Sequence, residues 1–133
     1  MVGWRDMSEF TGVDLEDSWV LGWRYDRTAR RLTFDLEASL WPGHSAYDVP
    51  LPDEWTCYRP AVLAFENVAS IAGLRDIAEA RATVDPDGSR DYGNIDALRQ
   101  EGELYRFSGE MGDVSVHAAY VRLVVSESRA PAG

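Results

Sequence analysis

The sequence predicts an all-β fold, an antiparallel β-sandwich or small open barrel built from two hairpins. Three observations predict it. Residues 18–41 read as two alternating strands around a polar turn, residues 103–125 read as a second hairpin, and a proline-bearing strand lies between them. At most one short helix is expected.

The elements follow in order. Residues 1–14 hold Trp4, Phe10 and Val13 among acids without a clear period, and predict a loosely ordered arm that Phe10 and Leu15 pin to the body. In the first strand every second residue, Trp19, Leu21, Trp23 and Tyr25, is large and apolar, the period of a half-buried strand. A polar turn at 26–30 leads to the next strand. There Leu32, Phe34, Leu36, Ala38 and Leu40 share one face, and Thr33, Asp35, Glu37 and Ser39 the other. A helix would scatter these residues around its circumference.

Pro42 and Gly43 stop that strand, and a loop follows through 54. The third strand spans about 56–66, with Ala61, Leu63 and Phe65 on one face. Pro60 has no N–H for a ladder, so an edge portion or a bulge is expected there. Val68, Ile71 and Leu74 suggest a short extra strand. Residues 75–84 read equally as two helical turns or as a weakly alternating strand, and Asp85, Pro86, Asp87 and Gly88 form a turn. Ile95, Ala97 and Leu98 form a short apolar piece that Asn94 is placed to cap as a helical turn.

Tyr105, Phe107 and Met111 share a face, and Gly112 and Asp113 turn the chain into one long strand, 114–125. Inward parity switches within it, from Val114 and Val116 to Val121, Leu123 and Val125, and a β-bulge near 117–119 accounts for the switch. Residues 126–133 read as a frayed tail.

At 133 residues the chain is expected to be a single domain, and such a domain buries roughly two-thirds of the surface its unfolded form exposes. The lone cysteine, Cys57, excludes an internal disulfide and reads as a small apolar filler. The net charge is −10 and every one of the thirteen cations is arginine. That balance opposes nucleic-acid binding, the absence of lysine removes Schiff-base chemistry, and the acidic surface favours soluble monomers or a basic partner. The acidic N-terminus has no apolar h-region, and no run approaches the length needed to span a bilayer. A cytoplasmic setting without membrane association is expected.

Two clusters are candidate sites. Asp85, Asp87 and Asp91 stand on a glycine-bearing loop, and hard cations take several oxygen ligands, so calcium is the metal to test. The spacing does not match an EF-hand, and the alternative is a solvated hairpin turn with no metal. The second cluster is Trp41, His44, Tyr47, Trp55 and Tyr58, interleaved with Pro42, Pro50 and Pro52. Such a loop can line a groove for a peptide, a sugar or an aromatic ligand, or can pack down as a satellite core over the end of the sheet. Trp41 falls on the outward parity, at the threshold between strand and loop.

No catalytic residues are assigned and no cofactor is expected. The chain has none of the GxSxG, HExxH, Walker or GxGxxG patterns, and His44 and His117 are its only histidines. Asp35 and Glu37 stand two residues apart on the outward face, which allows a glycosidase-type carboxylate pair only in principle, and outward acids ordinarily face solvent.

The order of pieces resembles a set of small bacterial β-domains. Glu16, Asp17 and Ser18 open an aromatic strand, and LTFDLEASL, VLAFENV, DYGNID and VHAAYVRLVV follow. Some such domains resemble immunity proteins encoded beside polymorphic toxins. The resemblance transfers no functional residues and implies a binding protein rather than an enzyme. Three functions are therefore weighed: a non-enzymatic protein-binding domain with a basic partner; a small-molecule-binding or enzymatic β-barrel with a pocket under residues 42–58; and a homodimer formed through an open strand edge.

Overall fold

The computed structural model describes residues 1–127. The tail expected to be frayed lies, from residue 128 onward, outside them. The fold is all-β and antiparallel, and among the described residues none of its sheets closes on itself. The strands are β1 (Val2–Gly3), β2 (Val13–Asp26), β3 (Arg31–Leu40), β4 (Cys57–Glu66), β5 (Ser70–Ala72), β6 (Thr83–Val84), β7 (Arg90–Asp91), β8 (Asp96–Glu101), β9 (Leu104–Gly109), β10 (Gly112–His117) and β11 (Tyr120–Val125). They form a five-stranded sheet in the order β1-β8-β9-β10-β5, a four-stranded sheet in the order β11-β4-β3-β2, and the small β6-β7 ribbon.

The two larger sheets pack face to face through aromatic rings. Phe34 on β3 meets Phe107 on β9 at 5.5 Å, edge to face, and Phe65 on β4 stacks on Phe107 at 5.4 Å and meets Tyr105 at 5.3 Å. Rings at these separations attract beyond their area burial. Leu32, Leu36, Leu63, Leu98, Val114 and Val116 fill the space around them and are buried. The alternation seen in the β3 and β4 sequences is borne out: Leu32, Phe34, Leu36, Ala38 and Leu40, and Ala61, Leu63 and Phe65, are all buried.

β2 departs from its sequence pattern. The β2–β3 register slips between Asp14 and Trp19 and again between Val20 and Gly22. Val20 pairs with Leu36 and Gly22 with Asp35, so Leu21 is the extra residue of a bulge. Val20 and Trp23 are therefore buried, Leu21 and Tyr25 are exposed, and Trp19 stands beside Glu37 on the outer face. Alternation carried Trp19 and Leu21 into the expected core; one inserted residue turned them out. At the earlier slip the Ser18 hydroxyl replaces a ladder bond, accepting from Ser39 N–H at 2.9 Å and donating to the Asp14 carbonyl at 2.7 Å.

The C-terminal stretch also differs. Residues 114–125 are two strands, with β10 in the five-stranded sheet and β11 in the other. The parity switch marks the crossing between sheets: Val114 and Val116 face the core from one side, Val121 from the other. The turn of this hairpin is at Glu110 and Met111, not at Gly112 and Asp113, which pair with Gly109 and Ser108. β11 is an outer strand of its sheet among the described residues, whereas β4 lies between β11 and β3.

Pro60 shows no bulge, because the β3–β4 register runs unbroken past Glu37–Pro60. Its carbonyl accepts from Ser126 N–H at 2.8 Å, so its missing N–H falls where β11 has ended. This is the expected edge portion. Residues 75–101 contain a 3-10 turn at Ile77–Glu79, the β6-β7 ribbon and β8. No helical turn follows Asn94. β8 is a strand with a bulge near Ala97, whose φ is 54°, and Asn94 instead donates from Nδ2 to the Ser18 carbonyl at 2.7 Å. Residues 1–14 hold β1 and two 3-10 turns, and bury Trp4, Met7, Phe10 and Val13 in the core.

Two backbone approaches lock the five-stranded sheet. Gly73 (φ +82°) and Gly112 (φ +109°) cross so closely that a Cβ on Gly73 would stand 1.8 Å from the Asp113 carbonyl oxygen. Gly88 also has positive φ (+87°) but faces open space. Gly73→Ala is expected to destabilise by about 2–4 kcal/mol and Gly88→Ala by about 1 kcal/mol, because only the first adds a backbone clash to the φ strain. Urea midpoints at constant m-value measure both. Arg59 is 3% exposed, its Nη1 donates to the Tyr58 carbonyl at 2.9 Å, and its Nε has no hydrogen-bond partner among the described residues. Arg59→Met, similar in length and apolar, is expected to stabilise by about 1 kcal/mol in the same measurement.

Candidate functional site

The outer face of the four-stranded sheet changes character from one end to the other. At one end Glu66 on β4 is 5% exposed and accepts 2.6 Å hydrogen bonds from Arg31 Nε on β3 and Arg122 Nε on β11. Burial alone would raise the Glu66 pKa; the hydrogen bonds from Arg122 and Arg31 outweigh it and hold the carboxyl below its ordinary range. Next to it Arg24 pairs with Asp35 at 2.7 Å. This end is compensated.

Glu37 stands at the other end. It is half-buried, opposite Trp19 on β2 and Pro60 on β4, and no hydrogen bond or ion pair engages its carboxylate among the described residues. Burial pushes its pKa up, and the surrounding charges of Glu54, Asp91, Asp85 and Asp87 push the same way. Two adjoining depressions meet at Leu21 and Glu37. One, about 580 Å³, has Glu54, Tyr58, Arg59, Pro60, Val62 and Val124 in its lining. The other, about 540 Å³, lies between Trp19 and the β6-β7 ribbon. Trp19 Nε1–H donates to the Tyr58 hydroxyl at 3.3 Å, so the two rings adjoin.

Local sequence explains each part. The bulge brings Leu21 and Trp19 to this face, and Ile77 packs over Gly22 at ordinary contact distance, 3.5 Å from where a Cβ would be. The ribbon is held along the outer edge of β2: Val20 N–H donates to the Gly93 carbonyl at 2.8 Å, and Tyr92 N–H to the Val20 carbonyl at 2.7 Å. With the Asn94–Ser18 bond these contacts place the ribbon's acids beside Glu37.

The structure separates the residues expected to act together. Tyr58 lines the larger depression. Trp41, 44% exposed, leans on Trp4 with ring centroids 6.4 Å apart, and its N–H donates to the Gly12 carbonyl. His44 packs against Gly12 and accepts from Ala46 N–H at Nδ1. Tyr47 packs on the core and Ala46 is buried, so that part of the loop is a satellite of the core. Trp55 is 87% exposed. His117 is exposed at the end of β10.

Asp85, Asp87 and Asp91 each serve a turn. Asp87 Oδ1 accepts from the Ser89 N–H and hydroxyl, Asp85 Oδ2 from the Ser89 hydroxyl at 3.2 Å, and Asp91 Oδ1 from Gly93 N–H at 2.9 Å. Among the described residues no group of three or more His, Cys, Asp or Glu side chains is arranged to hold a metal. Cys57 is buried, and Asp48 N–H approaches its Sγ at 3.4 Å.

Alternation placed Glu37 on the outward face; Trp19 and Leu21 are the members it assigned to the core instead. Gly22, an isolated glycine within a strand, is the sequence signal that marks such a bulge.

No family model, curated protein or solved structure matches this chain.

The two carboxylates predict opposite pH behaviour. Glu37 has a raised folded pKa, so its penalty is full above that pKa and gone below the unfolded value of about 4.3. Glu37→Gln is expected to raise the melting temperature at pH 7, with the gain vanishing near pH 4. Glu66 has a lowered folded pKa, so its stabilisation is present above the unfolded value and lost as pH falls through the folded one. Glu66→Gln is expected to destabilise by about 1–2 kcal/mol at pH 7, discounted for the partial exposure of both arginines. Thermal melts between pH 4 and pH 8 check both signs.

Proposed function

We propose that this chain is a non-enzymatic protein-binding domain that meets a basic partner through the outer face of its four-stranded sheet. A cytoplasmic immunity protein of the polymorphic-toxin kind is the role that best fits this reading. The observation behind it is the uncompensated Glu37, set in an open, largely apolar depression and ringed by further carboxylates. A carboxylate kept half-buried without a cation is unfavourable in the free protein, and a basic partner would relieve it on binding. The net charge of −10 acts in the same direction over longer range, steering a basic protein toward contact.

The alternative, a small-molecule or catalytic pocket under residues 42–58, draws less support. Ala46 and Tyr47 pack that loop onto the core, and the space between the sheets is taken up by Phe34, Phe65, Tyr105 and Phe107.

Affinity capture from an extract of the native organism, followed by calorimetry with the purified partner, tests the reading. One dominant basic protein is expected. Its affinity should fall at least tenfold between about 50 and 300 mM salt, because exposed charge pairs are screened over that range. Retention of only those proteins that an unrelated acidic domain also retains, or an affinity indifferent to salt, overturns it.

A further inference from the structure

The depression beside Glu37 has a chemistry more specific than a negative surface. Its lining is mostly apolar, with Leu21, Pro60, Val62 and Val124, and it also includes Asp35 and one cation, the buried Arg59. One end carries a half-buried carboxylate with no ion-pair partner among the described residues, and the indole of Trp19 and the ring of Tyr58 adjoin it. The charges that bear on Glu37 are carboxylates on two other segments: Glu54 from the loop before β4, and Asp85, Asp87 and Asp91 from the β6-β7 ribbon.

We propose that this depression receives an arginine side chain of the partner protein, its guanidinium on Glu37 and against the Trp19 and Tyr58 rings, its aliphatic stem along Pro60 and Val62. The proposal rests on the protein-binding reading and names the group that this surface recognises. Size agrees: about 580 Å³ admits one long side chain with room for its flanking residues.

Charge and shape exclude the other occupants. An anion would face Asp35, Glu37 and Glu54, and the single cation of the lining, Arg59, is 3% exposed and already donates to the Tyr58 carbonyl. A hard metal ion needs several convergent oxygens, and among the described residues no such cluster forms. An ammonium group is compact and strongly hydrated, whereas a guanidinium is planar, weakly hydrated and stacks on aromatic faces. The chain already uses this arrangement once. Arg5 lies over the Trp4 ring, 4.4 Å from its centroid, and pairs with Glu16. Trp19 and Glu37 offer the same two groups without the arginine.

Nitrogen-edited NMR titration with N-acetyl-arginine amide tests the proposal, with N-acetyl-citrulline amide as its neutral isostere. The arginine probe is expected to give saturable shifts at the Trp19 indole N–H and at the backbone of Glu37 and Tyr58, with a Kd of the order of millimolar. The citrulline probe should give none. Glu37→Gln, whose fold is checked from the same spectra, should weaken arginine binding at least tenfold. Equal response to citrulline, shifts that survive Glu37→Gln, or shifts confined to the 85–91 hairpin would overturn it. The captured partner separates this proposal from the reading it rests on. A partner that binds wild type and Glu37→Gln alike leaves a protein-binding domain standing and removes the arginine pocket. Absence of any specific partner removes the domain's reading instead.

Discussion

The contact of Phe34 and Phe65 with Phe107 is the constraint on which the rest of the structure depends. These three rings come from β3, β4 and β9, and they join two sheets that share no ladder. An antiparallel sheet with one apolar face is stable only when that face is covered. Once the rings set the inner face of β3, the outer face follows by alternation, and Asp35 and Glu37 must stand on it. The chain then crosses from one sheet to the other after His117, because β11 can complete the four-stranded sheet only by pairing with β4.

On that outer face two buried or half-buried glutamates receive opposite treatment. Glu66 is more deeply buried than Glu37, yet its charge is held by two arginines from neighbouring strands. Glu37 has no such partner among the described residues, and the charges that raise its pKa are carboxylates. The difference is one of register. Arg31 and Arg122 sit on the strands flanking Glu66, whereas the neighbours of Glu37 are Trp19 and Pro60. A fold that satisfies one carboxylate completely and leaves the other unpaired has put the unpaired one in a depression open to solvent. That contrast is why the functional reading centres on Glu37 rather than on the more acidic but self-satisfied 85–91 hairpin.

Much of the architecture was legible in the residues. The strands at 31–40 and 57–66 alternate without interruption, the Asp85–Gly88 turn carries its own chemistry, and Pro60 announced an edge. The failures share a cause. At Leu21, at Ala97 and between His117 and Tyr120 the chain inserts a residue or changes sheet, and either event reverses parity for everything beyond it. Alternation is a local rule and cannot see a slip whose stabilising partners are distant in sequence. Asn94 shows the same limit: as a neighbour of Ile95 it looks like a cap, but its hydrogen bond reaches Ser18.

The sequence by itself determined the all-β class, the central hairpin, the core faces of β3 and β4, and the acidic surface, because side-chain period and charge are written residue by residue. Only the tertiary structure decided the candidate site. It is made by a bulge that turns Trp19 and Leu21 outward, a ribbon held along β2 by backbone hydrogen bonds, and a strand register that sets Glu37 against Trp19 and Pro60. Each of these joins segments far apart in the chain, and proximity of that kind is settled by packing, not by spacing.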